Sequence, residues 1–281
     1  GRELVESSEG AYLTMKNGEK ILDMTGGIGV LNHGHNHKKI IEARLRFQNK
    51  KKMEVHKAFL SPYVAALSHN LAQLLPNDLN ISYFSNSGTE ANEGAIKMAY
   101  KYHDGNRKTI LHSDISFHGK TLGSASITAS KEVNYRFPSI SKTDSFEYDS
   151  IESLVKAIEN NTNEDGQCDI FSIIIEPFSA STLRKCSEEF LIFLKDKCNE
   201  LDIVLIFDEV YSGYFKTGKF FNFMRVDCVS PDILTMAKSF GGGKSSISAF
   251  VATDKLFNGS YNSSKYATLH SSTYYGFGEE C

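Results

Sequence analysis

The chain has 281 residues, 41% of them hydrophobic and 23% charged, which allows one large domain or two unequal domains with a substantial core. Its net charge of −3 and its scattered lysines give no electrostatic reason to expect nucleic acid or a membrane surface as a partner. The five cysteines form no C-x-x-C pair, and neither a signal-peptide pattern nor an apolar run of about 18 residues occurs, so we expect a soluble cytoplasmic protein without structural zinc.

The first part of the chain has short strand-like runs and a glycine-bearing loop, "MTGGIGVLNHGHNH" at residues 24–37. Its pattern differs from that of the rest of the sequence, although no clear linker marks a boundary. We predict that residues 1–55 form an N-terminal segment leaning on a main sheet, and that residues 56–281 form the large domain.

Short β-branched runs then alternate with helical patterns. Strands are predicted at residues 81–86, 108–113, 170–177, 203–209 and 247–253, and helices at 88–103, 150–160 and 187–201. The runs "SIIIE" and "VLIFD" are almost continuously apolar, as is typical of strands covered on both faces. This alternation predicts an α/β fold with a mostly parallel, doubly wound sheet that binds ligands at the carboxyl ends of its strands.

The stretch "SNSGTEANEGAIK" places Ser87, Gly88 and Thr89 between the first of these strands and a helix. Small hydroxyl residues and a glycine at a helix N-terminus form an anion site, because free N–H groups and the helix dipole point toward the ligand. The same residues could instead make a simple capping box, with Glu90 or Glu93 bonding back to the cap.

Three further segments carry functional side chains near predicted strand ends. "FHGKT" offers Phe117 as a ring that could stack on a planar cofactor, with His118 beside it. "IIIEP" ends a buried strand with Glu176, and "LIFDEV" ends another with Asp208. A buried carboxylate needs a cationic partner. No His or Cys cluster has metal-ligand spacing, so a protonated heterocyclic nitrogen suits Asp208 better than a metal.

The stretch "MAKSFGGGKSS" at residues 236–246 contains glycines followed by Lys-Ser, which suggests a nucleotide phosphate loop. A P-loop would need its first glycine at position 238, which is Lys238, and a helix after Ser246, where "ISAFVAT" predicts a strand. We therefore reject the nucleotide interpretation. Lys238 follows an apolar strand, where partial desolvation would leave its amine neutral enough to attack a carbonyl.

An anion site, a stacking ring, a carboxylate for a ring nitrogen and a nucleophilic lysine together match the requirements of pyridoxal 5'-phosphate held as a Schiff base. The segments "SNSGTEANEGAIKMAYKY", "FHGKTLGS", "IIIEP", "LIFDEVYSGYFKTGKFF", "SPDILTMAKSFGGG" and "HSSTYYG" occur in one order along nearly the whole chain. The chain resembles class III (subgroup II, ornithine/GABA-type) aminotransferases of fold type I, which implies the large domain of a pyridoxal-phosphate transferase plus an N-terminal segment that belongs to the small domain.

The resemblance implies a role for each matching residue. Lys238 would form the Schiff base and move a proton as general acid/base, and Asp208 would pair with the pyridinium nitrogen. The remaining cofactor-binding positions follow the same pattern: Phe117 and Val210 on the two ring faces, Ser87, Gly88 and Thr89 at the phosphate, and His118 and Glu176 behind the ring. Thr273 resembles a threonine that reaches the neighbouring subunit's phosphate, which implies a homodimer with shared sites.

Three features depart from the family pattern. After "EP" the family commonly has a Gln and then a Gly-Glu pair, whereas Ser179 and Ser181 stand at the Gln and Glu places here. Tyr211 stands where a Gln is frequent. The chain ends at Cys281, whereas family members continue into a C-terminal small domain, so we expect that domain to be absent from this sequence.

The leading hypothesis is transfer of an amino group between an amino-acid or amine donor and a keto or aldehyde acceptor, with no metal. The same residues would serve a pyridoxal-phosphate aminomutase or related isomerase, and a non-catalytic relative of the fold is a third reading. A non-catalytic relative should lose the lysine or the aspartate, and this chain retains Lys238 and Asp208.

Overall fold

The computed structural model describes residues 3–54, 59–76, 78–130, 137–139 and 141–281. The predicted boundary between residues 55 and 56 lies outside the described residues. In the part of the chain that is described, no helix is long and apolar enough to cross a membrane.

Ten strands form two separate sheets within the described ranges. The smaller sheet is antiparallel and consists of β1 (Val5–Glu9), β2 (Tyr12–Met15) and β3 (Lys20–Leu22). The larger sheet consists of β4 (Leu79–Ser85), β5 (Thr109–Ser113), β6 (Lys142–Phe146), β7 (Ile170–Ile175), β8 (Val204–Asp208), β9 (Ile233–Met236) and β10 (Ser248–Thr253). The five predicted strands correspond to β4, β5, β7, β8 and β10.

The larger sheet is mostly parallel, as predicted. Its strand order is β4-β10-β9-β8-β7-β5-β6, and β10 is the strand that runs antiparallel to both of its neighbours. The pairs β5–β6, β5–β7, β7–β8 and β8–β9 are parallel, so the carboxyl ends of these five strands meet at one edge. That edge is where ligands bind in open α/β sheets.

Eight helices accompany the sheets in the described residues, and those predicted at 88–103, 150–160 and 187–201 are confirmed. They are α1 (Gly26–Gly29), α2 (Lys38–Asn49), α3 (Pro62–Leu74), α4 (Gly88–Tyr102), α5 (Leu122–Ser126), α6 (Ile151–Asn160), α7 (Glu188–Glu200) and α8 (Asp254–Ser260). Ser87, Ser150 and Ser187 cap α4, α6 and α7, because each hydroxyl accepts a first-turn N–H that has no partner inside the helix.

Two hydrophobic clusters cover the two faces of the larger sheet. One contains Leu154 of α6 and Leu191 of α7, and the other contains Met98 of α4 and Leu256 of α8. All six residues of β7 are buried, as the near-continuous apolar run predicted. The doubly wound arrangement predicted from the sequence is therefore confirmed.

The N-terminal part packs on the turn that follows β9. The Arg44 guanidinium donates to the carbonyl oxygen of Lys244 at 2.8 Å and to Ser245 Oγ at 2.7 Å. The turn itself begins with a 3-10 segment at Lys238–Gly241, after which Gly242 has φ +58°, a left-handed conformation that glycine adopts without steric cost. The strand β10 follows, where a P-loop would require a helix.

Candidate active site

A cavity of about 340 Å³ opens at the carboxyl edge of the larger sheet. Nine of the ten sequence-predicted site residues lie on its wall: Ser87, Gly88, Thr89, Phe117, His118, Glu176, Asp208, Val210 and Lys238. Thr273, the tenth, is exposed and lies outside this wall. The nine lie together because β4, β5, β7, β8 and β9 run in one direction and end at the same edge of the sheet.

Asp208 is the last residue of β8 and is 3% exposed. Its Oδ2 accepts hydrogen bonds from His118 Nδ1 at 2.7 Å and Asn92 Nδ2 at 2.8 Å, and its Oδ1 accepts the Val210 N–H at 2.9 Å. Burial by itself raises the pKa of Asp208, but the bonds from His118, Val210 and Asn92 outweigh burial and keep that pKa below its usual value. The cavity therefore contains a fixed carboxylate.

Asn92 is a site residue that the sequence reasoning missed. It lies on the inward face of α4 and is 1% exposed. Besides its bond to Asp208, Nδ2 donates to the carbonyl oxygen of His118 at 2.8 Å, and Oδ1 accepts from Thr235 Oγ1 at 2.7 Å. The signal was present in the sequence, because Asn92 interrupts the helical face that Ala91 and Ala95 make apolar.

His118 lines the cavity next to Asp208. Its Nδ1 is bonded to Asp208, and its Nε2 is buried without a hydrogen-bond partner among the described residues. A buried polar atom that lacks a partner is costly unless a ligand supplies one. His118 is therefore placed to contact whatever fills the cavity.

Glu176 follows β7 directly and orients the loop that carries Phe117. Its Oε2 accepts the Phe117 N–H and its Oε1 accepts the Ala180 N–H, both at 3.0 Å. Burial raises the pKa of Glu176 to about 7, with His118 acting in the opposite direction. Glu176 thus lines the cavity and anchors the loop that carries Phe117.

Glu209, beside Asp208, is fully buried and was not singled out by sequence reasoning. Its carboxyl group accepts from Ser212 Oγ at 2.6 Å and from the N–H groups of Asn222 and Phe223 at 2.7 and 2.8 Å. Burial raises the pKa of Glu209 to about 7. Glu209 fastens the loop that carries Val210 and Tyr211, and its own carboxyl group lies outside the cavity wall.

Lys238 stands two residues beyond β9, with its backbone in the left-handed region at φ +50°. That conformation costs a non-glycine residue about 1 kcal/mol or more. Burial lowers the pKa of the Lys238 amine, while the carboxylates of Asp208 and Glu176 act to raise it. The cavity therefore contains a half-buried amine that loses its proton more easily than the amine of a surface lysine does.

The N-terminus of α4 also lines the cavity. Ser87 Oγ accepts the Glu90 N–H at 3.4 Å and donates to Glu90 Oε2 at 3.0 Å, so the capping arrangement considered from the sequence is present. Gly88 and Thr89 occupy the first turn, where N–H groups have no intrahelical partner. The backbone of Gly88 and Thr89 is thus free to bind an anion, while the Ser87 hydroxyl is already engaged.

Apolar side chains also line the cavity. Phe117 and Val210 both line the cavity, and a Cβ added to Gly88 would lie 2.8 Å from Val210 Cγ1, so only glycine fits beside that side chain. Among the described residues, no cluster of three or more His, Cys, Asp or Glu side chains is placed to hold a metal ion. The cavity wall thus combines a carboxylate, an amine, a helix N-terminus and apolar side chains.

Comparison with known proteins places this geometry in a family. The profile of the class-III aminotransferases matches residues 3–278. The acetylornithine aminotransferase of Aquifex aeolicus (strain VF5) is 33% identical over 240 residues, which is 84% of this chain and 61% of that protein. The chain thus spans about three fifths of the length of this relative.

Solved structures share the fold over the whole chain. The adenosylmethionine-8-amino-7-oxononanoate aminotransferase of Methanocaldococcus jannaschii DSM 2661 superposes with a TM-score of 0.90 at 27% identity, covering 100% of this chain and 67% of that one. The ornithine aminotransferase of Toxoplasma gondii, whose structure reveals partial occupancy of PLP at its active site, gives a TM-score of 0.86 at 23% identity, covering 100% and 65%.

Proposed function

The chain belongs to the class-III aminotransferase family, and on that premise we propose that it moves an amino group between an amino-acid or amine donor and a keto or aldehyde acceptor. The observation that carries the proposal is the convergence of Lys238 and Asp208 on one cavity that the N-terminus of α4 also lines. Pyridoxal 5'-phosphate is the cofactor of this family.

The residues present fit that cofactor. Among the described residues, Asp208 Oδ1 accepts only the Val210 N–H, so it retains an acceptor position for a protonated ring nitrogen. His118 Nε2, which has no hydrogen-bond partner in the described part of the chain, gives the cavity a further polar group. Phe117 and Val210 offer apolar surface in the cavity wall, and the first-turn N–H groups of Gly88 and Thr89 suit a phosphate.

When bound, the cofactor supplies an electron-withdrawing ring that makes the proton on the donor's amine-bearing carbon removable. Lys238 would hold the cofactor through its amine. Once released, the same amine would take the proton from the donor's amine-bearing carbon and would later deliver a proton to the carbonyl carbon of the acceptor. Asp208, which is kept anionic by His118 and Asn92, would hold the ring nitrogen in its protonated form. Ser87 contributes chiefly by shaping the α4 terminus.

Several finer features belong to the same proposal. We place residues 1–55 in the small domain, and we infer a homodimer in which the exposed Thr273 reaches the partner's phosphate. All five cysteines are free thiols, which supports a reducing compartment and hence the cytoplasm. Small-molecule donors and acceptors, with neither nucleic acid nor membrane, complete the expected set of partners.

Absorption spectroscopy with trapping tests the proposal. Protein incubated with pyridoxal phosphate should gain a visible band, and borohydride should fix the cofactor to Lys238, as located by peptide mass spectrometry. Lys238→Ala should abolish both signals, whereas Lys244→Ala, which removes an exposed lysine outside the cavity wall, should preserve them.

Turnover assays decide the reaction class. Amino donors should react only when a keto acid or aldehyde is added, and Asp208→Asn should lower kcat by about 100-fold or more, since the ring nitrogen would lose its counter-charge. Turnover of a single amino substrate without any acceptor would contradict a transaminase. A protein that binds no pyridoxal phosphate would contradict the whole proposal.

A further inference from the structure

The ring of Tyr211 lies beside two lysine amines. Lys238 Nζ is 5.1 Å from the ring centre and Lys216 Nζ is 5.4 Å from it, both within the range of cation–π attraction. Tyr211 lines the cavity, and its ring also stacks on Phe178 at an interplanar angle of 9°. The Tyr211 ring therefore contacts both the Lys238 amine and the amine of Lys216, a residue that the sequence did not single out.

Lys216 is held in place by two hydrogen bonds. Its Nζ donates to Asn32 Oδ1 at 2.8 Å and to Ser239 Oγ at 3.0 Å. An ammonium group has three protons to donate, and these two bonds use two of them, while the cation also lies within cation–π range of the Tyr211 ring. The Ser239 hydroxyl donates onward to the carbonyl oxygen of Gly29 at 3.2 Å, which ties the turn to the N-terminal part.

Ser239 directly follows Lys238 in the chain. The left-handed backbone at Lys238 is strained, and strain of this kind persists only where neighbouring contacts hold it. Lys216 supplies two such contacts, because it bonds to the residue after Lys238 and shares the ring that the Lys238 amine faces. No other described lysine makes both contacts.

We propose that Lys216 is a positioning residue for Lys238, fixing the reactive amine through Ser239 and the Tyr211 ring. The proposal rests on the function proposed above for its chemical meaning, because Lys238 is the amine that would hold the cofactor. Lys216 itself lies outside the cavity wall and need not touch cofactor or substrate.

The charges around the two amines determine in which direction the pKa of Lys238 should change when Lys216 is lost. Asp208 and Glu176 face Lys238 and favour its charged form, while burial opposes it. Burial, followed by repulsion from Lys238, lowers the pKa of Lys216 to about 8, so the two amines interact electrostatically. Loss of Lys216 removes a neighbouring cation and loosens the turn, and both changes make the Lys238 amine easier to protonate.

Competitive acetylation measures this without any cofactor. Protein stripped of pyridoxal phosphate is labelled with trace acetic anhydride across a pH series, and acetylation at Lys238 is quantified by peptide mass spectrometry. In Lys216→Met the apparent pKa of Lys238 should rise by about 0.5 pH unit, which makes labelling roughly threefold slower near neutral pH. Lys216→Arg, which keeps the charge, the donors and the ring contact, should not show this rise.

The matched control is Lys244→Met. Lys244 also donates to an asparagine of the N-terminal part, Asn36, but it is exposed and has no contact with the Tyr211 ring. Its loss should leave the Lys238 titration unchanged. Asn32→Ala, an exposed change that removes one anchor of Lys216, should shift the titration in the same direction as Lys216→Met, and it covers the case in which Lys216→Met folds poorly.

Two results would overturn the proposal: a Lys238 titration in Lys216→Met that overlays the wild-type curve, or an equal rise in Lys216→Met and Lys216→Arg. The labelling needs no bound cofactor. It therefore decides the role of Lys216 even if the protein proves not to use pyridoxal phosphate, and the spectroscopic test above decides that question separately.

Discussion

Replacing Asn92 by alanine should destabilise the protein severely, although the sequence gives this residue no obvious prominence. The side chain makes three buried hydrogen bonds, to Asp208, to the His118 carbonyl and to Thr235. Alanine leaves the carbonyl and the Thr235 hydroxyl without partners and removes one donor from a buried carboxylate. At about 1 kcal/mol for each neutral bond and about 2 kcal/mol for the charged one, the free energy of unfolding should fall by about 3–4 kcal/mol.

Urea denaturation of cofactor-free protein, followed by circular dichroism, measures the loss. Asn258→Ala is the matched control, because Asn258 is an exposed helical asparagine whose side chain bonds only to Asn262 in the described residues. The free energy of unfolding of Asn258→Ala should stay within about 0.5 kcal/mol of the wild-type value. A loss below about 1 kcal/mol in Asn92→Ala would refute the reasoning, since it would mean that the buried bonds are replaced by water.

A double-mutant cycle sharpens the same prediction. Asn92→Leu leaves the Thr235 hydroxyl unpaired, and Thr235→Val removes that hydroxyl while keeping its shape. The double variant should therefore lose less free energy of unfolding than the sum of the losses in the two single variants, by about 1 kcal/mol. Strict additivity would show that Thr235 does not depend on Asn92.

Two further predictions concern the surroundings of the site. Gly119→Ala should cost about 2–3 kcal/mol and weaken pyridoxal phosphate binding in a titration, because Gly119 has φ +133° and a Cβ there would overlap the side chain of Thr89; full stability would contradict it. Burial raises the pKa of Glu209 from 4.5 to about 7, so between these two pH values the folded state keeps a proton that the unfolded state has lost. The free energy of unfolding should therefore fall by about 3 kcal/mol as the pH rises from 4.5 to about 7. Glu209→Gln should flatten this slope between about pH 5 and about pH 7 in urea denaturation, and an unchanged slope would mean that Glu209 is already ionised.

Much of the fold could be predicted from local patterns. The strands β7 and β8 and the helices α4 and α7 follow from apolar runs, helical spacing and serine caps, all of which act over a few residues. The strand β6 (Lys142–Phe146) was not predicted because it lies at the edge of the sheet. Burial on such a strand is partial and leaves the weak pattern "KTDSF".

The sequence by itself determined the chemical groups of the site and their order, since Lys238, Asp208, Phe117 and the α4 terminus each stand in a recognisable strand-end motif. The tertiary structure decided the contacts between side chains that are far apart in the chain. Asn92 reaches Asp208 across 116 positions, and Lys216 meets Lys238 over the ring of Tyr211. Hydrogen bonds and ring contacts depend on distances of a few ångströms, which only the packing of the parallel strands and of the N-terminal part establishes.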